Sequence, residues 1–500
     1  MSDPYYTAFH FQPLKNWMND PNGPFYDAAT GLYHLFAQYN PNGARWGDMN
    51  WYHAVSKDMI HWTHLPVALT PDHSYDCGGE FSGSATVLPD AQGTPVLSVS
   101  VACGKWVFFA IPEDKAADPL MIHWRKNGTI NGAAFDGPVF NAPTYSTGGF
   151  RDPTSAWQGS ATDKTWRMAT GCGDKKKGGA CLFKSENFVN WTAVGWLHHP
   201  QGAQNTAFWE CPDFFQIPNS DSWVLKGSAS GDWWSLGKYT PAAGMAADSF
   251  APISYDIHDG STAGLGLQKY DFGKFYASKT FYDPAKQRQI LWGWVAEEGP
   301  APHPGEDWSS IQSLPREILI DPSNTSRLMF PVISELEALR GPAIAVPSTT
   351  VQPGATVAIA VPAATANQLD IDLTVVADFT AAGVEAGVSV FSGTAVTVGS
   401  LPAAANPEGI NLLALNLAGN KGQSVIGPDS KSVSLRVIVD RSVVEAYAAG
   451  GRGVATHRVY PGGNDRAVEL VNTGKVPVVI AGSVYPMTVA QPPSTSTLLQ

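Results

Sequence analysis

Residues 16–24 (NWMNDPNGP) place one carboxylate among groups that suit a sugar ligand. Asp20 precedes Pro21, whose ring disfavours helical backbone at the preceding residue, so we expect Asp20 at the end of an extended strand. An Asn-Gly pair follows and favours a turn, and these four residues alone are typical of a hairpin between strands. Trp17 and Asn19 add an aromatic face and an amide beside the carboxylate. The stretch therefore predicts a site for a sugar ring, with Asp20 as the reactive group.

Glu210, in the sequence WECPD at residues 209–213, is the candidate partner of Asp20. A carboxylate that attacks an anomeric carbon in a retaining mechanism requires a second carboxyl group about 5–5.5 Å away, which protonates the leaving oxygen. Glu210 lies beside a tryptophan and a cysteine in the sequence, and we expect poor solvation there to favour the protonated acid. The alternative is a glutamate at a strand end that is solvated or forms a salt bridge.

Asp152, in the sequence GFRDP at residues 149–153, is the third candidate. Its neighbour Arg151 indicates a carboxylate that is kept ionised, either by that arginine or by a partner across the site. An ionised carboxylate that binds two hydroxyls of the sugar would bind them more tightly as the ring flattens toward an oxocarbenium-like transition state. A plain ion pair on the surface is the alternative.

The three stretches resemble the motifs of glycoside hydrolase family 32, which contains invertases, fructan hydrolases and fructosyltransferases. The resemblance implies that Asp20 is the nucleophile, Glu210 the acid/base and Asp152 the stabiliser of the transition state, with Arg151 orienting Glu210. Residues 437–461 also look like the C-terminal part of that family, so the resemblance spans nearly the whole chain. It implies a catalytic five-bladed β-propeller followed by a β-sandwich.

Further residues match the family's substrate-binding motifs. The resemblance predicts a substrate shell made of Asn19, Gln38, Trp46, Phe81 and Ser82, together with Trp17 and Arg151. Amides, aromatic rings and a small polar turn can hold one face and several hydroxyls of a furanose ring, whereas each of these residues alone is typical of packing. Many plant members have Trp where Phe81 stands, so we expect a slightly smaller aromatic wall.

Two later segments supply the remaining candidates. Tyr276 and Trp308 lie in segments that resemble late blades of plant-type members, and we predict them at the rim of the site, with strand packing as the alternative. Plant-type invertases commonly hold the glucose unit with an Asp and a Lys or Arg downstream of the acid/base motif. Residues 225–234 depart from that pattern, and Asp232 is the candidate substitute.

The chain is long enough for two domains, because single hydrophobic cores stop growing at about 250–300 residues and this chain has 500. Short apolar runs between Gly, Pro, Asn and Asp clusters predict an all-β fold, as either a large sandwich or a propeller, and the family resemblance favours the propeller. All 17 tryptophans lie at or before Trp308. We predict a propeller over residues 1–332, a linker helix over 333–342 with Ser334 as its N-cap, and a sandwich over 343–500.

The second domain shows the clearest strand patterns. Leu369, Ile371, Leu373 and Val375 fall on one face of a strand with alternating exposure. Residues 437–445 are typical of two strands joined by a tight turn. The absence of tryptophan from this part favours a structural role that shields the propeller and extends the cleft.

Composition restricts the partners. Only 15% of the residues are charged and the formal net charge is −12, which argues against nucleic acid or an anionic membrane as the partner. A neutral carbohydrate, such as sucrose or a fructo-oligosaccharide, fits better. No Cys-x-x-Cys motif or phosphate-binding glycine loop occurs, so we expect no cofactor and no metal ion.

Three sequons favour a secreted chain, extracellular or vacuolar, whose leader was removed, with a cytoplasmic location as the alternative. They begin at Asn127, Asn190 and Asn324. No apolar run reaches about 18 residues, so we expect no membrane-spanning helix. Cys172 and Cys181 bracket a Gly/Lys-rich loop, where a disulfide and two free buried thiols are equally compatible with the sequence.

We therefore predict a retaining β-fructofuranosidase, an invertase-type glycoside hydrolase that cleaves sucrose and short fructans through a covalent fructosyl-enzyme. A fructosyltransferase that makes fructo-oligosaccharides from sucrose is the first alternative. Trp17 and Asn19 favour hydrolysis, because transferases resembling this family often vary that motif. A catalytically silent carbohydrate-binding homologue is an alternative of another class, and the presence of all three carboxylates argues against it.

Overall fold

The structure, a computed structural model, describes residues 3–160, 162–174, 177–200, 208–253, 268–401, 412–425 and 430–490. The predicted domains include both chain ends. These ends, residues 1–2 and 491–500, lie outside the described ranges. The described residues are almost entirely strands and loops, which confirms the predicted all-β class. Within them, no helix has the length and apolar character that crossing a membrane requires.

The first part of the chain has short antiparallel strands separated by turns. These strands are β1 (Asn16–Asp27), β2 (Leu32–Asn40), β3 (Asn50–Ser56), β4 (Trp62–Leu69), β5 (Glu80–Val87), β6 (Pro95–Val101), β7 (Trp106–Pro112), β8 (Trp124–Arg125), β9 (Asn127–Ile130), β10 (Ala133–Asp136), β11 (Pro138–Asn141), β12 (Phe150–Pro153), β13 (Trp157–Gln158), β14 (Trp166–Gly173), β15 (Gly178–Ser185), β16 (Thr192–His198), β17 (Glu210–Gln216), β18 (Trp223–Ser228), β19 (Asp232–Thr240), β20 (Ser249–Pro252), β21 (Phe275–Asp283), β22 (Arg288–Val295), β23 (Trp308–Ser309), β24 (Ile311–Gln312), β25 (Arg316–Glu317), β26 (Leu319–Ile320) and β27 (Leu328–Met329).

Most of these strands form five sheets in chain order. The sheets have the orders β23-β1-β2-β3-β4, β11-β7-β6-β5, β12-β14-β15-β16, β17-β18-β19-β20 and β21-β22-β24, with β8, β13 and β25 as additional short partners. Strands β9 and β10, and strands β26 and β27, form two small separate pairs. Each of the five sheets has its first strand, namely β1, β5, β12, β17 or β21, on the inside.

The five inner strands form a closed ring. Strand β1 contacts β5, β5 contacts β12, β12 contacts β17, β17 contacts β21, and β21 contacts β1. The strands therefore surround one axis and bring segments that are far apart in sequence to its two ends. The segment that follows β22 links the last sheet to the first, because β23 pairs with β1 in parallel while β24 pairs with β22.

Within the predicted linker, residues 333–342, the structure has one short 3₁₀ helix, Ser334–Leu339. Leu336 and Leu339 are buried, as the apolar spacing predicts. The prediction that Ser334 is the N-cap is wrong: Ile333 holds the extended backbone of the cap position, and no side chain caps the helix. Ser334 already has helical backbone, so its hydroxyl does not accept a hydrogen bond from the free N–H groups of the first turn.

The second part of the chain consists of two antiparallel six-stranded sheets. Its strands are β28 (Ile344–Val351), β29 (Thr356–Ala358), β30 (Gln368–Val376), β31 (Glu385–Val390), β32 (Thr394–Leu401), β33 (Leu412–Leu417), β34 (Asn420–Val425), β35 (Ser432–Asp440), β36 (Val443–Ala448), β37 (Gly453–Arg458), β38 (Glu469–Asn472) and β39 (Val478–Pro486). The sheet orders are β28-β39-β30-β35-β36-β37 and β29-β38-β31-β32-β33-β34.

The predicted strand patterns of this part are confirmed. Leu369, Ile371, Leu373 and Val375 all lie on β30 and are almost completely buried. They belong to an apolar core that includes residues of both sheets, which is the arrangement of a sandwich. The predicted pair of strands around residues 437–445 is β35 and β36, which are antiparallel neighbours.

The first part of the chain contains two disulfides, one between the paired strands β14 and β15 and one between loop residues. Cys172 and Cys181 are bonded, which decides between the two possibilities left by the sequence, and Cys77 is bonded to Cys103. Cys211 is a free and buried cysteine. The pairing of Cys77 with Cys103 was not predicted, because 26 residues separate them and only the fold brings them together.

Candidate active site

Asp20 lies inside strand β1, and the expected turn at Asn22-Gly23 is wrong. Strand β1 continues through the motif, and its pairing with β2 is irregular between Met18 and Pro21 and again between Asn22 and Phe25. Pro21 has no N–H to donate to the ladder, so a bulge accommodates it within the strand. The motif is therefore a bent strand with Asp20 at its first irregularity.

The same irregularity occurs at the start of all five inner strands. The pairing is shifted between Glu80 and Gly83 in β5, around Asp152 in β12, after Glu210 in β17 and after Tyr276 in β21. A regular strand points consecutive side chains to opposite faces, whereas a bulge changes this direction. As a result, consecutive residues such as Asn19 and Asp20, Phe81 and Ser82, and Arg151 and Asp152 all line one cavity.

These strand starts surround a cavity of about 200 Å³ at one end of the ring. Its volume is below the roughly 300–1,000 Å³ of pockets for drug-sized ligands, and so it suits one small ring. Ten of the thirteen predicted site residues line it, together with one residue that was not predicted. The lining consists of Asn19, Asp20, Gln38, Trp46, Phe81, Ser82, Arg151, Asp152, Glu210, Tyr276 and Trp294.

The carboxylate of Asp20 accepts hydrogen bonds from two side chains of the cavity lining. Asn19 Nδ2 donates to Oδ1 at 2.9 Å, and Ser82 Oγ donates to Oδ2 at 2.5 Å. Burial raises the pKa of Asp20 to about 6; the charges of Asp152 and Glu210 add to this increase, whereas the bonds from Ser82 and Asn19 oppose it. The carboxyl group of Asp20 thus titrates close to neutral pH, and the hydrogen bonds from Asn19 and Ser82 fix its orientation.

Asp152 is buried beside Asp20 on strained backbone. Its φ of 63° lies in the left-handed region, which is unusual for a residue other than glycine and which recurs at functional sites. The backbone N–H of Cys211 donates to Oδ2 at 2.9 Å. Burial raises the pKa of Asp152, while Arg151 and this N–H oppose the increase. The sequence left two partners open for Asp152, namely Arg151 and a group across the site, and the structure has both, since Arg151 and the N–H of Cys211 each lower its pKa.

Glu210 is the first residue of β17 and lies between two donors. Arg151 Nη2 donates to Oε1 at 2.7 Å, and the hydroxyl of Tyr276 donates to Oε2 at 2.7 Å. The expected poor solvation of Glu210 is wrong, because its side chain is 36% exposed. The adjacent tryptophan and cysteine of the motif are both buried, so their burial does not extend to this carboxyl group.

Arg151 connects the two acidic groups. Its Nε lies 3.8 Å from Asp152 Oδ2, and its Nη2 bonds Glu210. The ring of Phe208 covers the guanidinium plane at 4.3 Å. This packing restricts the rotation of the arginine side chain, and the orienting role that the sequence predicts for Arg151 stays a prediction.

Cys211 also belongs to the site. It lies in the motif around Glu210, but the sequence analysis predicts no role for it. Its Sγ lies 3.5 Å from Asp20 Oδ2 and 3.7 Å from Asp152 Oδ2. Burial raises the pKa of the thiol, and the two carboxylates raise it further, so the sulfur carries its proton at neutral pH. The thiol therefore lies as a donor between two acidic groups.

The remaining lining residues form the walls. Gln38 accepts from Asn19 Nδ2 at 3.4 Å and donates to the backbone oxygen of Glu80. Trp46 is 60% exposed, and its ring lies 6.2 Å from that of Phe81. The cavity thus has an amide on one side and an open aromatic face at its entrance.

Three predicted residues lie outside the lining. Trp17 donates from Nε1 to Asn19 Oδ1 at 2.7 Å and so orients that amide from behind. Asp232 is buried, where it accepts from the N–H of Ser278 at 2.7 Å and pairs with Lys226. Trp308 is also buried, with its Nε1 bonded to Asp3. The prediction that Asp232 and Trp308 contact substrate is not supported, because neither side chain reaches the cavity.

Trp294 lines the cavity and was missed. It lies on β22 at 5.9 Å from the ring of Trp17 and 6.5 Å from that of Tyr276. The sequence around it is a continuous apolar run, which does not show which face of the strand is buried. Its position only becomes evident when β21 and β22 are placed beside β1.

Among the described residues, one group has the composition of a metal site, namely Asp72, His73 and Asp76. Lys126 Nζ lies 2.6 Å from Asp72 Oδ1, 2.5 Å from Asp76 Oδ2 and 2.6 Å from Glu80 Oε1. The ammonium group therefore already pairs with the two aspartates of this group, and none of its three residues lines the cavity.

Two protein-family models match the chain. The N-terminal domain of glycosyl hydrolases family 32 matches residues 10–331, and the C-terminal region of the same family matches residues 335–486. The two matches cover both parts of the fold and meet at the 3₁₀ helix.

Known relatives agree with these matches. The chain is 35% identical to acid β-fructofuranosidase 2, vacuolar, of a Rosa hybrid cultivar, over 91% of this chain and 76% of that protein. It is 33% identical to the 6(G)-fructosyltransferase of Asparagus officinalis, over 91% of this chain and 82% of that protein.

A solved structure has the same fold. The crystal structure of fructan 1-exohydrolase IIa from Cichorium intybus superposes with a TM-score of 0.84 at 30% identity, and the superposition covers 98% of this chain and 99% of that one. Both parts of the fold therefore correspond in this neighbour.

Proposed function

The chain belongs to glycoside hydrolase family 32, and we propose that it is a retaining β-fructofuranosidase whose covalent intermediate forms on Asp20. The observation that carries this proposal is the convergence of Asp20, Asp152 and Glu210 on one cavity that has room for one sugar ring. The substrate class is small neutral carbohydrate, and sucrose is the first candidate.

In the first step Asp20 attacks the anomeric carbon of the fructosyl unit. Glu210 gives its proton to the glycosidic oxygen, the bond between that oxygen and the anomeric carbon breaks, and glucose leaves. Arg151 and Tyr276, which both donate to Glu210, keep the carboxyl group directed at the leaving oxygen. The product of this step is a fructosyl ester of Asp20.

In the second step a water molecule attacks the same carbon. Glu210, now a carboxylate, takes a proton from the water, and the new bond displaces Asp20. Two displacements at one carbon restore the starting configuration. Asp152 binds hydroxyls of the ring in both steps, and it does so most strongly when positive charge develops on the ring.

A fructosyltransferase is the second candidate, and the similarity to the Asparagus officinalis enzyme favours it. It shares the first step, and a sugar hydroxyl replaces water in the second. Asn19 and Trp17 are both present and hydrogen-bonded to each other, an arrangement that we associate with hydrolysis. Product analysis at low and high sucrose distinguishes the two: hydrolysis gives free fructose throughout, whereas transfer gives accumulating trisaccharide.

We also propose the finer architecture and the location. The five sheets around one ring support a five-bladed propeller over residues 1–332, with the linker at 333–342 and the sandwich at 343–500. A vacuolar or extracellular location is supported by the relative named vacuolar, by two disulfides, which are typical of oxidising compartments, and by the exposure of Asn127, Asn190 and Asn324.

Trapping with methanol tests the retaining mechanism. In the presence of methanol, the fructosyl-enzyme is expected to yield methyl β-D-fructofuranoside, which NMR identifies. Formation of the α-anomer as the first product would contradict a covalent intermediate, since a single displacement inverts the configuration.

A further inference from the structure

Two neighbouring cavities lie at the opposite end of the ring from the candidate active site. Their volumes are about 710 and 640 Å³, so each is more than three times as large as the 200 Å³ catalytic cavity. Ser155, Ala156, Phe281 and Tyr282 line both of them. Since the cavities share these walls, we treat them as one open groove, which we call the distal groove.

The distal groove is well separated from the catalytic residues. Strand β1 places Asp20 at the catalytic end and Tyr26 and Asp27 in the wall of the groove. At about 3.3 Å per residue, these positions are roughly 20 Å apart. A sugar unit bound in the groove is thus not held by the leaving-group subsite of the reaction.

One wall of the groove is a rigid aromatic cluster. The ring of Phe214 lies 4.9 Å from that of Trp157 and stacks on that of Trp223 at 4.8 Å. Tyr239, behind them, accepts a hydrogen bond from Trp157 Nε1 at 3.1 Å. Trp157 and Trp223 both line the cavity and are only partly buried. The wall is therefore preformed and presents aromatic surface to a ligand.

Tyr282 adds an open aromatic face at the point where the two cavities meet. Its side chain is 48% exposed, which is unusual for a large aromatic residue and comparable with the exposed Trp46 at the entrance of the catalytic cavity. Val87, at the end of the inner strand β5, is 41% exposed in the same groove. The groove thus combines a buried aromatic wall with an exposed ring.

The polar lining restricts the charge of a ligand. Among the described residues that line the groove there is no Lys, Arg or His, which excludes a site built for phosphate or another anion. The polar side chains are amides, hydroxyls and carboxylates, among them Gln216, Asn219, Asp221 and Gln289. Such groups exchange hydrogen bonds with sugar hydroxyls, while aromatic rings contact the apolar faces of sugar rings.

We propose that the distal groove is a second, non-catalytic binding site for a neutral oligosaccharide of several units. The combined size favours a chain longer than the single ring that the catalytic cavity accommodates. The choice of fructo-oligosaccharide as the first ligand rests on the proposed function, whereas the site itself rests on the groove alone. Binding there would keep the enzyme attached to a longer fructan while its chain end is cleaved elsewhere.

Calorimetric titration of the Asp20→Asn variant tests this site, because that variant binds sugar without turning it over. We expect fructo-oligosaccharide of five units to occupy two sites per chain. In Asp20→Asn/Tyr282→Ala, one of the two sites is expected to bind about three- to tenfold more weakly, and the other to keep its affinity. Asp20→Asn/Ile253→Ala, which truncates a side chain of 47% exposure outside the groove, serves as the matched control.

Two results would overturn the proposal. The first is a stoichiometry of one with fructo-oligosaccharide together with no binding of maltopentaose, and the second is a titration that Tyr282→Ala does not change. If maltopentaose binds in the groove and fructo-oligosaccharide does not, the groove is a site for a neutral oligosaccharide other than fructan. The single variant Tyr282→Ala is expected to cleave sucrose at the parental rate. Sucrose cleavage therefore tests the proposed function separately from binding in the distal groove.

Discussion

Asp20 has to ionise beside two other carboxyl groups, and this costs the folded protein stability. Its pKa rises from 3.8 unfolded to about 6 folded, so the folded state binds the proton more tightly. The cost is therefore absent below about pH 4, grows as the pH rises through 6, and is complete above it. Asp20, the proposed nucleophile, is then a residue at which activity and stability oppose each other.

The Asp20→Asn variant should consequently be more stable than the parent at neutral pH. We expect a gain of order 2 kcal/mol at pH 7 that disappears near pH 4, because the amide carries no charge at any pH. Thermal unfolding of both proteins from pH 4 to 8 measures the difference. A variant that is less stable at pH 7, or a difference independent of pH, would contradict the assigned ionisation.

Cys211 provides a second test at the residue scale. Its thiol lies between Asp20 and Asp152, and a donor in that position favours the ionised nucleophile. We expect Cys211→Ala to lower kcat/KM about tenfold and to move its acid limb to higher pH, and Cys211→Ser, which retains a donor, to restore most of the activity. An unchanged pH profile in the alanine variant, with an unchanged melting temperature, would show that the thiol only fills space.

The sequence predicts the acidic residues of the site better than their surroundings. Asp20, Asp152 and Glu210 come from motifs that carry their own chemistry, and the cavity contains all three. Asp232 and Trp308 have equally suitable side chains but are buried under neighbouring strands. Trp294 was missed because only the pairing of β21 with β22 and the contact with β1 decide which side chains face the axis.

At the scale of elements, the bulge at the start of each inner strand shapes the site. A bulge directs two consecutive side chains into the cavity, which explains why the residues that line it occur as adjacent pairs such as Arg151 and Asp152. The sequence alone indicates strands and turns in this region but not bulges. It therefore led to the wrong turn at Asn22-Gly23, where a proline inside a strand looks like a break.

Gly83 tests the role of these bulges. A Cβ at this position would lie 1.8 Å from the backbone oxygen of Ser98 on the paired strand. We expect Gly83→Ala to displace the adjacent Ser82, which bonds Asp20, and to lower both stability, by about 2–4 kcal/mol, and sucrose cleavage.

Gly43→Ala is the control for this substitution, because a Cβ there meets nothing within 4 Å. Thermal unfolding and initial rates of both variants give the comparison. Equal effects of the two substitutions would show that the close approach of β5 to β6 does not position Ser82.

At the scale of the whole molecule, a buried ionic network joins the two parts of the chain. His10, which precedes the first sheet, bonds Asp440 at 2.8 Å and Glu445 at 3.3 Å in the second part. Arg316 of the first part bonds Glu445 at 3.0 Å. Sequence analysis predicts two domains from composition, but it does not identify such partners, which lie more than 120 residues apart.

The charge of His10 makes this interface depend on pH. Burial alone would lower the pKa of His10, but the hydrogen bonds that its imidazole donates to the carboxylates of Asp440 and Glu445 raise it to about 9. The stabilisation is therefore complete below about pH 6.5 and is lost as the pH rises through 9.

We expect His10→Gln to lower the free energy of unfolding by about 2–3 kcal/mol at pH 6, and by progressively less toward pH 9.5. Thermal unfolding as a function of pH measures this trend, with His123→Gln, at a side chain of 69% exposure, as the control. A loss that grows with pH would contradict a protonated His10 in the interface.

The most direct test of the complete account is sucrose cleavage by Asp20→Asn, compared with Asp27→Asn at the other end of the same strand. We predict that kcat falls at least about 10⁴-fold in the first variant, because the attacking oxygen loses its charge while the fold is kept. The second variant should cleave sucrose at close to the parental rate, because Asp27 pairs with Lys115 far from the cavity. Near-parental cleavage by folded Asp20→Asn would contradict the central role given to this carboxylate.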